Sequence, residues 1–203
     1  MALITPPVPL PLRRAQWVRS RSQQKNVGWT GKSQIVRLPI ATRWTVSGEF
    51  PPIVQEANSL QWQAFFEELD GIANTFPVRA VEAQQTTAAN LQVNLAGQTG
   101  SSLNLKGLTG TTGTTFLAKG RKISVTLPSG DVQLETLTTN LVIAAGGLGT
   151  ATFKGTLREA PANNAAVEVQ FPFAIMRLTN PDMGYTVDAG QLYGFAFEAE
   201  EAF

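Results

Sequence analysis

Short runs of alternating apolar and polar residues, separated by glycine and proline turns, recur along most of this chain. Alternation puts successive side chains on opposite faces of a strand, so each run predicts a strand with one buried face. Glycine-rich segments such as 146–149 end the runs, because glycine enters turns at little steric cost. The pattern predicts a mainly β fold. The predicted strands are Ala15–Ser20, Gln34–Leu38, Ala41–Phe50, Leu91–Leu95, Lys122–Leu127, Val132–Leu137, Leu141–Ile143 and Thr150–Phe153.

One segment, which begins after Pro51-Pro52, has the periodicity of a helix. Val54 and Asn58 extend its apolar side backwards, and Gly71 is placed to cap its C-terminus. We expect its large side chains to lie in the core; a face for a binding partner is the less favoured interpretation. These side chains are Trp62, Phe65, Phe66 and Leu69.

The distribution of aromatic residues suggests a discontinuous domain. Residues 82–168 are rich in Thr, Gly, Asn and Ala and almost lack aromatics, which return near the C-terminus. Tyr193, Phe195 and Phe197 alternate and should line one face of a strand. We therefore predict one sheet-plus-helix domain from residues 1–81 and 169–203. Residues 82–168 are predicted to form an inserted β domain, a small sandwich or barrel.

Composition argues against catalysis. The 203 residues include no His and no Cys, so the commonest general base, thiolate nucleophiles and the commonest metal ligands are missing. A loop resembling a phosphate-binding motif, Gly28–Ser33, lacks the required upstream glycine. Glu198 and Glu200 alternate with apolar residues and are expected on the solvated face of an edge strand, without acid–base work. We predict no catalytic residue, no cofactor, no metal site and no membrane insertion.

Charge is segregated between the two ends of the chain. Residues 1–43 contain eight Lys or Arg and no acid, whereas residues 180–203 contain five Asp or Glu and no base. The ends could pair within one folded unit, or between neighbouring subunits of an assembly. Nucleic-acid binding is disfavoured because the basic residues are dispersed. The candidate contacts between subunits are Arg13, Arg14, Arg19, Arg21, Glu198, Glu200 and Glu201.

Two further features leave alternatives open. Residues 1–12 are proline-rich and predict an extended arm, either disordered or, as we favour, docked on a neighbour. Trp29 lies in a glycine-rich turn and is a candidate exposed aromatic. An exposed Trp and a β-rich insert also suit a second function, a carbohydrate-binding module that contacts surface polysaccharide.

An ordered series of short segments runs along the chain: 14–18, 42–44, 51–52, 62–66, 69–71, Asn74, 97–103, 157–158, Pro161, 177–178, 193–197 and 201–203. In this order they resemble the tail-tip proteins of long, non-contractile-tailed bacteriophages, the group that includes distal tail proteins. The likeness spans nearly the whole chain and depends on the order of the segments, since no single one is specific. It departs from the family in the Thr-rich middle.

The resemblance implies a structural role in the virion, with assembly in the host cytoplasm. It implies a ring of copies, with six the expected number, that joins the tail tube protein to the tail-tip hub protein. It also implies a β-sandwich-like ring domain with one helix and a peripheral β domain.

Overall fold

A computed structural model describes residues 1–21, 23–37, 42–88 and 90–203. Strands contain 42% of the residues and helix 7%, which confirms the predicted mainly β fold with one helix. The ends of two predicted strands, Leu38 and Ala41, lie outside the described residues. The elements, in chain order, are β1 (Arg14–Ser20), β2 (Gln23–Val27), β3 (Ser33–Arg37), β4 (Arg43–Glu49), β5 (Ile53–Val54), α1 (Glu56–Glu68), β6 (Phe76–Arg79), β7 (Leu91–Val93), β8 (Ser102–Lys106), β9 (Thr115–Leu117), β10 (Lys122–Thr126), β11 (Val132–Thr136), β12 (Leu141–Val142), β13 (Leu148–Thr152), β14 (Ala166–Glu168), β15 (Phe173–Leu178), β16 (Tyr185–Asp188) and β17 (Leu192–Glu201).

The described chain divides into two compact units. Unit 1 comprises Met1–Val78 and Ile175–Phe203, and unit 2 comprises Arg79–Ala174. Unit 1 is therefore built from both ends of the chain, and unit 2 lies between them in sequence. The predicted boundaries were 81/82 and 168/169, whereas the two units divide at 78/79 and 174/175.

The main sheet of unit 1 has the strand order β1-β4-β17-β15-β6, and β5 and β16 also pair with β17. β17 thus lies inside the sheet, hydrogen-bonded to β4 on one side and to β15 on the other. Phe197 of β17 is paired with Gly48 of β4. A Cβ atom on Gly48 would come within 2.6 Å of the Phe197 ring, so glycine makes room for this side chain.

The predicted helical stripe packs on this sheet and forms an aromatic core. Trp62, Phe65 and Phe66 of α1 are buried, as is the following Leu69, which confirms the core interpretation. The Phe66 ring stacks on Phe195 of β17 at 5.7 Å between centroids. Phe195 and Phe197 are buried with Tyr193 on one face of β17, as predicted. Burial of each such side chain contributes about 1.5–3 kcal/mol to folding.

The ends of α1 differ from the prediction. Val54 and Asn58 are both exposed. Val54 belongs to the short strand β5, and the helix begins only at Glu56. Pro51-Pro52 therefore leads into a strand. At the other end the C-cap residue is Leu69, and Gly71 follows with φ 61°. A Cβ atom on Gly71 would approach the carbonyl oxygen of Pro181 to 3.0 Å, which is a second reason for glycine there.

The start of the N-terminal arm binds within its own chain. The amide of Ile4 donates to the carbonyl of Thr75, and the amide of Thr75 donates to the carbonyl of Ala2. The Asn74 side chain accepts a further bond from the Ala2 amide. These first residues are thus engaged by unit 1 itself, although we expected the arm to dock on a neighbour. Leu3 and Val8 remain exposed.

Unit 2 is an aliphatic β domain. Its larger sheet has the order β11-β10-β14-β7-β8-β13, and β9 and β12 form a separate pair. Every strand predicted in this region forms, with slightly shifted ends, but β8, β9 and β14 were missed. The core is made mostly of Leu, Val and Ile, with Phe153 as its one fully buried aromatic among the described residues.

Candidate functional site

The strands β2 and β3 form a two-stranded ribbon that pairs with no other strand in the described part of the chain. Lys25 is paired with Ile35 and Val27 with Ser33. The tip is closed by hydrogen bonds from the Gly28 amide to the Lys32 carbonyl and from the Gly31 amide to the Gly28 carbonyl. An isolated two-stranded hairpin is only marginally stable in water, so this ribbon gains most if another surface covers it.

The ribbon exposes large apolar side chains. Trp29 at the tip is 104% exposed, Val27 62% and Ile35 59%. Cross-strand partners share a face, so the register puts Val27 and Ile35 on the same face of the ribbon. Scattered single apolar residues are ordinary on a surface, but a contiguous apolar patch on an unsupported element is typical of an interaction site.

The ribbon carries only positive charge. Its ionisable side chains include Lys25 at its centre and Lys32 at its tip, and no acid lies between residues 1 and 43. Neither lysine forms an ion pair within the described residues. A positive, apolar ribbon is suited to an acidic partner surface with apolar patches.

The four candidate arginines do not share one environment. Arg13, Arg14 and Arg21 are exposed and without an ion pair in the described regions. Arg19 is half-buried, and its guanidinium lies 5.2 Å from the centre of the Trp44 ring. Arg19 therefore contacts its own unit, whereas the other three can reach a second molecule.

The structure corrects the prediction for the three candidate glutamates. β17 lies inside the sheet, not at its edge, because the C-terminal segment is inserted between β4 and β15. Glu198 is exposed, as expected. Glu201 is only 1% exposed, and its carboxylate accepts a 3.0 Å hydrogen bond from the Trp44 amide. Glu201 is thus a buried structural residue that cannot contact another subunit.

Glu200 lies between two arginines of unit 1. Its carboxylate accepts bonds of 2.7 Å from Arg177 and 2.9 Å from Arg43. Burial alone would raise the pKa of Glu200, but the hydrogen bonds and positive charges of Arg177 and Arg43 outweigh it and lower the pKa. We expected Glu200 on the solvated face of an edge strand, so its two ion pairs are a second correction. Here the basic and acidic ends of the chain pair within one unit.

The β2–β3 ribbon and the ion pairs of Glu200 were not predicted from the sequence, for different reasons. A signal for the ribbon was available in the pair of short polar runs that flank Gly28–Gly31, a hairpin pattern. No local signal could have joined Arg43 to Glu200, because they are 157 residues apart. Neither site resembles a metal centre, and the described residues hold no cluster of three or more metal-ligating side chains.

The comparisons with known proteins supply no family. No protein-family model matches this chain, and the curated protein sequences contain no significant match to it. Within the described residues, no helix is both long and apolar enough to cross a bilayer.

Proposed function

We propose that this chain is a structural subunit of a bacteriophage tail tip, similar to distal tail proteins. Copies assemble into a ring, with six the expected number, that joins the tail tube protein to the tail-tip hub protein in the virion. The order of the matching segments in the sequence supports this assignment. The absence of His and Cys favours a structural role over catalysis.

The observation that carries the proposal is the uncovered ribbon β2–β3. Trp29, Val27 and Ile35 gain little by remaining in water, and burying a large aliphatic side chain contributes about 1.5–3 kcal/mol. A ring of identical subunits supplies a neighbour to each ribbon and leaves none uncovered.

Charge favours a second copy as the ribbon's partner. The ribbon is positive, while α1 contains three acids, Glu56, Glu67 and Glu68, and no base. Asp182, Asp188 and Glu198 add exposed negative charge near the C-terminus. Acidic surface on one copy can thus meet the basic ribbon of the next, which favours a closed head-to-tail arrangement.

Sedimentation velocity over a range of concentrations, followed by electron microscopy, tests this proposal. We expect ring-shaped oligomers from the wild type and monomers from the double variant Trp29→Ser, Ile35→Ser. Leu95→Ser, which changes an exposed apolar residue of unit 2, is the matched control and should still assemble. A ring that needs another tail protein to start will instead form in purified tail particles. A wild-type chain that stays monomeric and is absent from such particles contradicts the proposal.

A further inference from the structure

An open cavity of about 410 Å³ lies in unit 2, lined by residues of β8, β12 and β13 and of the segments next to β7 and β12. Its volume falls in the range of small-molecule sites, roughly 300–1,000 Å³. The side chains used in the argument below are Asn94, Asn104, Asn140, Val142, Leu148 and Thr150.

Strand register places a row of polar side chains across this surface. Thr150 of β13 is paired with Asn104 of β8, and the Asn94 amide donates to the Asn104 carbonyl. Cross-strand partners project from the same face of a sheet. The Thr150 hydroxyl donates a 2.8 Å hydrogen bond to the Asn104 side-chain oxygen, which fixes the orientation of that amide.

The Asn140 side chain is oriented by a backbone amide. The Asn140 side-chain oxygen accepts a 2.8 Å bond from the Lys119 amide, which fixes its orientation, and its NH₂ group donates no bond within the described residues. The same holds for Asn104, whose oxygen is occupied by Thr150. Asn94 makes no side-chain hydrogen bond within the described residues. The cavity therefore offers oriented NH₂ donors and one complete amide.

The rest of the lining is apolar and uncharged. Val142 is 42% exposed and Leu148 38% exposed, and no ionisable side chain lines the described cavity. A charged ligand would find no counter-charge here, whereas a neutral molecule with many hydroxyl groups could pair with the amides. Its C–H surfaces could then cover Val142 and Leu148.

We propose that this cavity binds a neutral saccharide. The amides of Asn94, Asn104 and Asn140 hydrogen-bond its hydroxyl or acetamido oxygens, and the apolar side chains contact its ring. This site goes beyond the proposed assembly role, because it uses residues of unit 2 alone. Trp29, the aromatic residue that first suggested sugar binding, is not among the residues that line this cavity.

Nuclear magnetic resonance titration of the full ¹⁵N-labelled chain tests the site. The probes are methyl glycosides of glucose, galactose and N-acetylglucosamine, with glucuronic acid as a charged comparison. We expect saturable shifts of the side-chain NH₂ signals of the three asparagines with at least one neutral glycoside. The expected dissociation constant is on the order of 1–10 mM, typical of a few hydrogen bonds in an open site.

Two variants distinguish the site from its surroundings. Asn104→Asp keeps the oxygen that Thr150 binds and removes the NH₂ donor, so binding should weaken about tenfold or more. Gln92→Ala removes an exposed amide on β7 outside the cavity and should bind as the wild type does. The proposal is overturned if no neutral glycoside shifts these signals at about 100 mM. It is also overturned if glucuronic acid binds equally well, or if Asn104→Asp binds normally.

Discussion

The two units bury their apolar residues in different ways. Unit 1 packs aromatic rings between α1 and a sheet. The centre of the Phe50 ring lies 4.8 Å from that of Trp62 and 5.9 Å from that of Phe195. Unit 2 relies on Leu, Val and Ile and has no Trp or Tyr. Yet unit 1, with the larger side chains, is also the one that leaves the β2–β3 ribbon uncovered. A unit with a complete core can still expose apolar residues on an element that the core does not reach.

This difference has a practical consequence for experiments. All four tryptophans lie in unit 1, so tryptophan fluorescence reports unfolding of that unit alone. Far-UV circular dichroism reports strands of both units. The two signals can therefore separate the effects of substitutions on each core.

The largest expected effect is that of Phe50→Ala. Phe50 is buried and contacts four other rings, so its truncation leaves a large cavity in unit 1. We expect a loss of about 3–5 kcal/mol in the free energy of unfolding, measured by urea titration with tryptophan fluorescence.

Phe153→Ala is the matched truncation in unit 2. It should lower the circular dichroism midpoint by a comparable amount and leave the tryptophan midpoint near its wild-type value. An equal shift of both signals would show that the units unfold together, which would contradict the claim that their cores respond separately.

Gly48→Ala should have the next largest effect. The added methyl group would lie 2.6 Å from the Phe197 ring and 3.1 Å from Leu12, so the aromatic core must shift. We expect a loss of about 1–3 kcal/mol in the same assay. Gly28→Ala, where the nearest atom is 3.7 Å away, is the control. Equal stability of the two variants would mean that Gly48 has room for a side chain.

A smaller effect is expected from Glu200→Gln, about 1 kcal/mol at pH 7, because its ion pairs are partly exposed. Arg177 and Arg43 lower the pKa of Glu200 in the folded state. The charge of Glu200 therefore stabilises unit 1 fully at pH values above 4.5, the ordinary pKa of a glutamate. That stabilisation is lost as the pH falls through the lowered pKa.

The difference between wild type and Glu200→Gln should therefore shrink on acidification. Urea midpoints measured by tryptophan fluorescence at several pH values give this difference directly. Glu198→Gln changes an exposed carboxylate on the same strand and should differ little from wild type at any pH. A constant difference for Glu200→Gln across the acid range would count against the ion pairs.

The smallest effect on folding should come from the ribbon. Trp29→Ser with Ile35→Ser removes side chains that contact little within unit 1, so the monomer's unfolding free energy should change by less than about 0.5 kcal/mol. Circular dichroism melting of dilute protein measures this. A large loss of stability would show that the ribbon is part of the unit 1 fold and not a free surface.

Local patterns were enough to predict some of this fold but not all of it. Alternation placed Phe195 and Phe197 on a buried face, and helical spacing placed Trp62 and Phe66 in the core, because both patterns follow from backbone geometry alone. The interior position of β17 depends on pairing with distant strands, which no local pattern records. For the same reason Glu201, expected to contact a neighbouring subunit, is buried in its own unit.

The candidate sites also differ in whether a local pattern or the pairing of distant strands creates them. Trp29 was identified from its glycine-rich turn, a local feature. The Asn94–Asn104–Thr150 row could not be predicted, because β8 was missed and the row exists only through the register of three strands. Residues that are brought together by strand pairing can be identified as a site only once the pairing is known.

Hydrogen–deuterium exchange of the ribbon, compared between dilute monomer and assembled protein, tests the central claim most directly. The claim is that residues 23–37 form an uncovered surface that is buried when copies assemble. We predict rapid exchange of peptides from this segment in the monomer and strong protection in the assembly, with peptides from the unit 2 core unchanged. Assemblies in which the ribbon exchanges as fast as in the monomer would contradict the account.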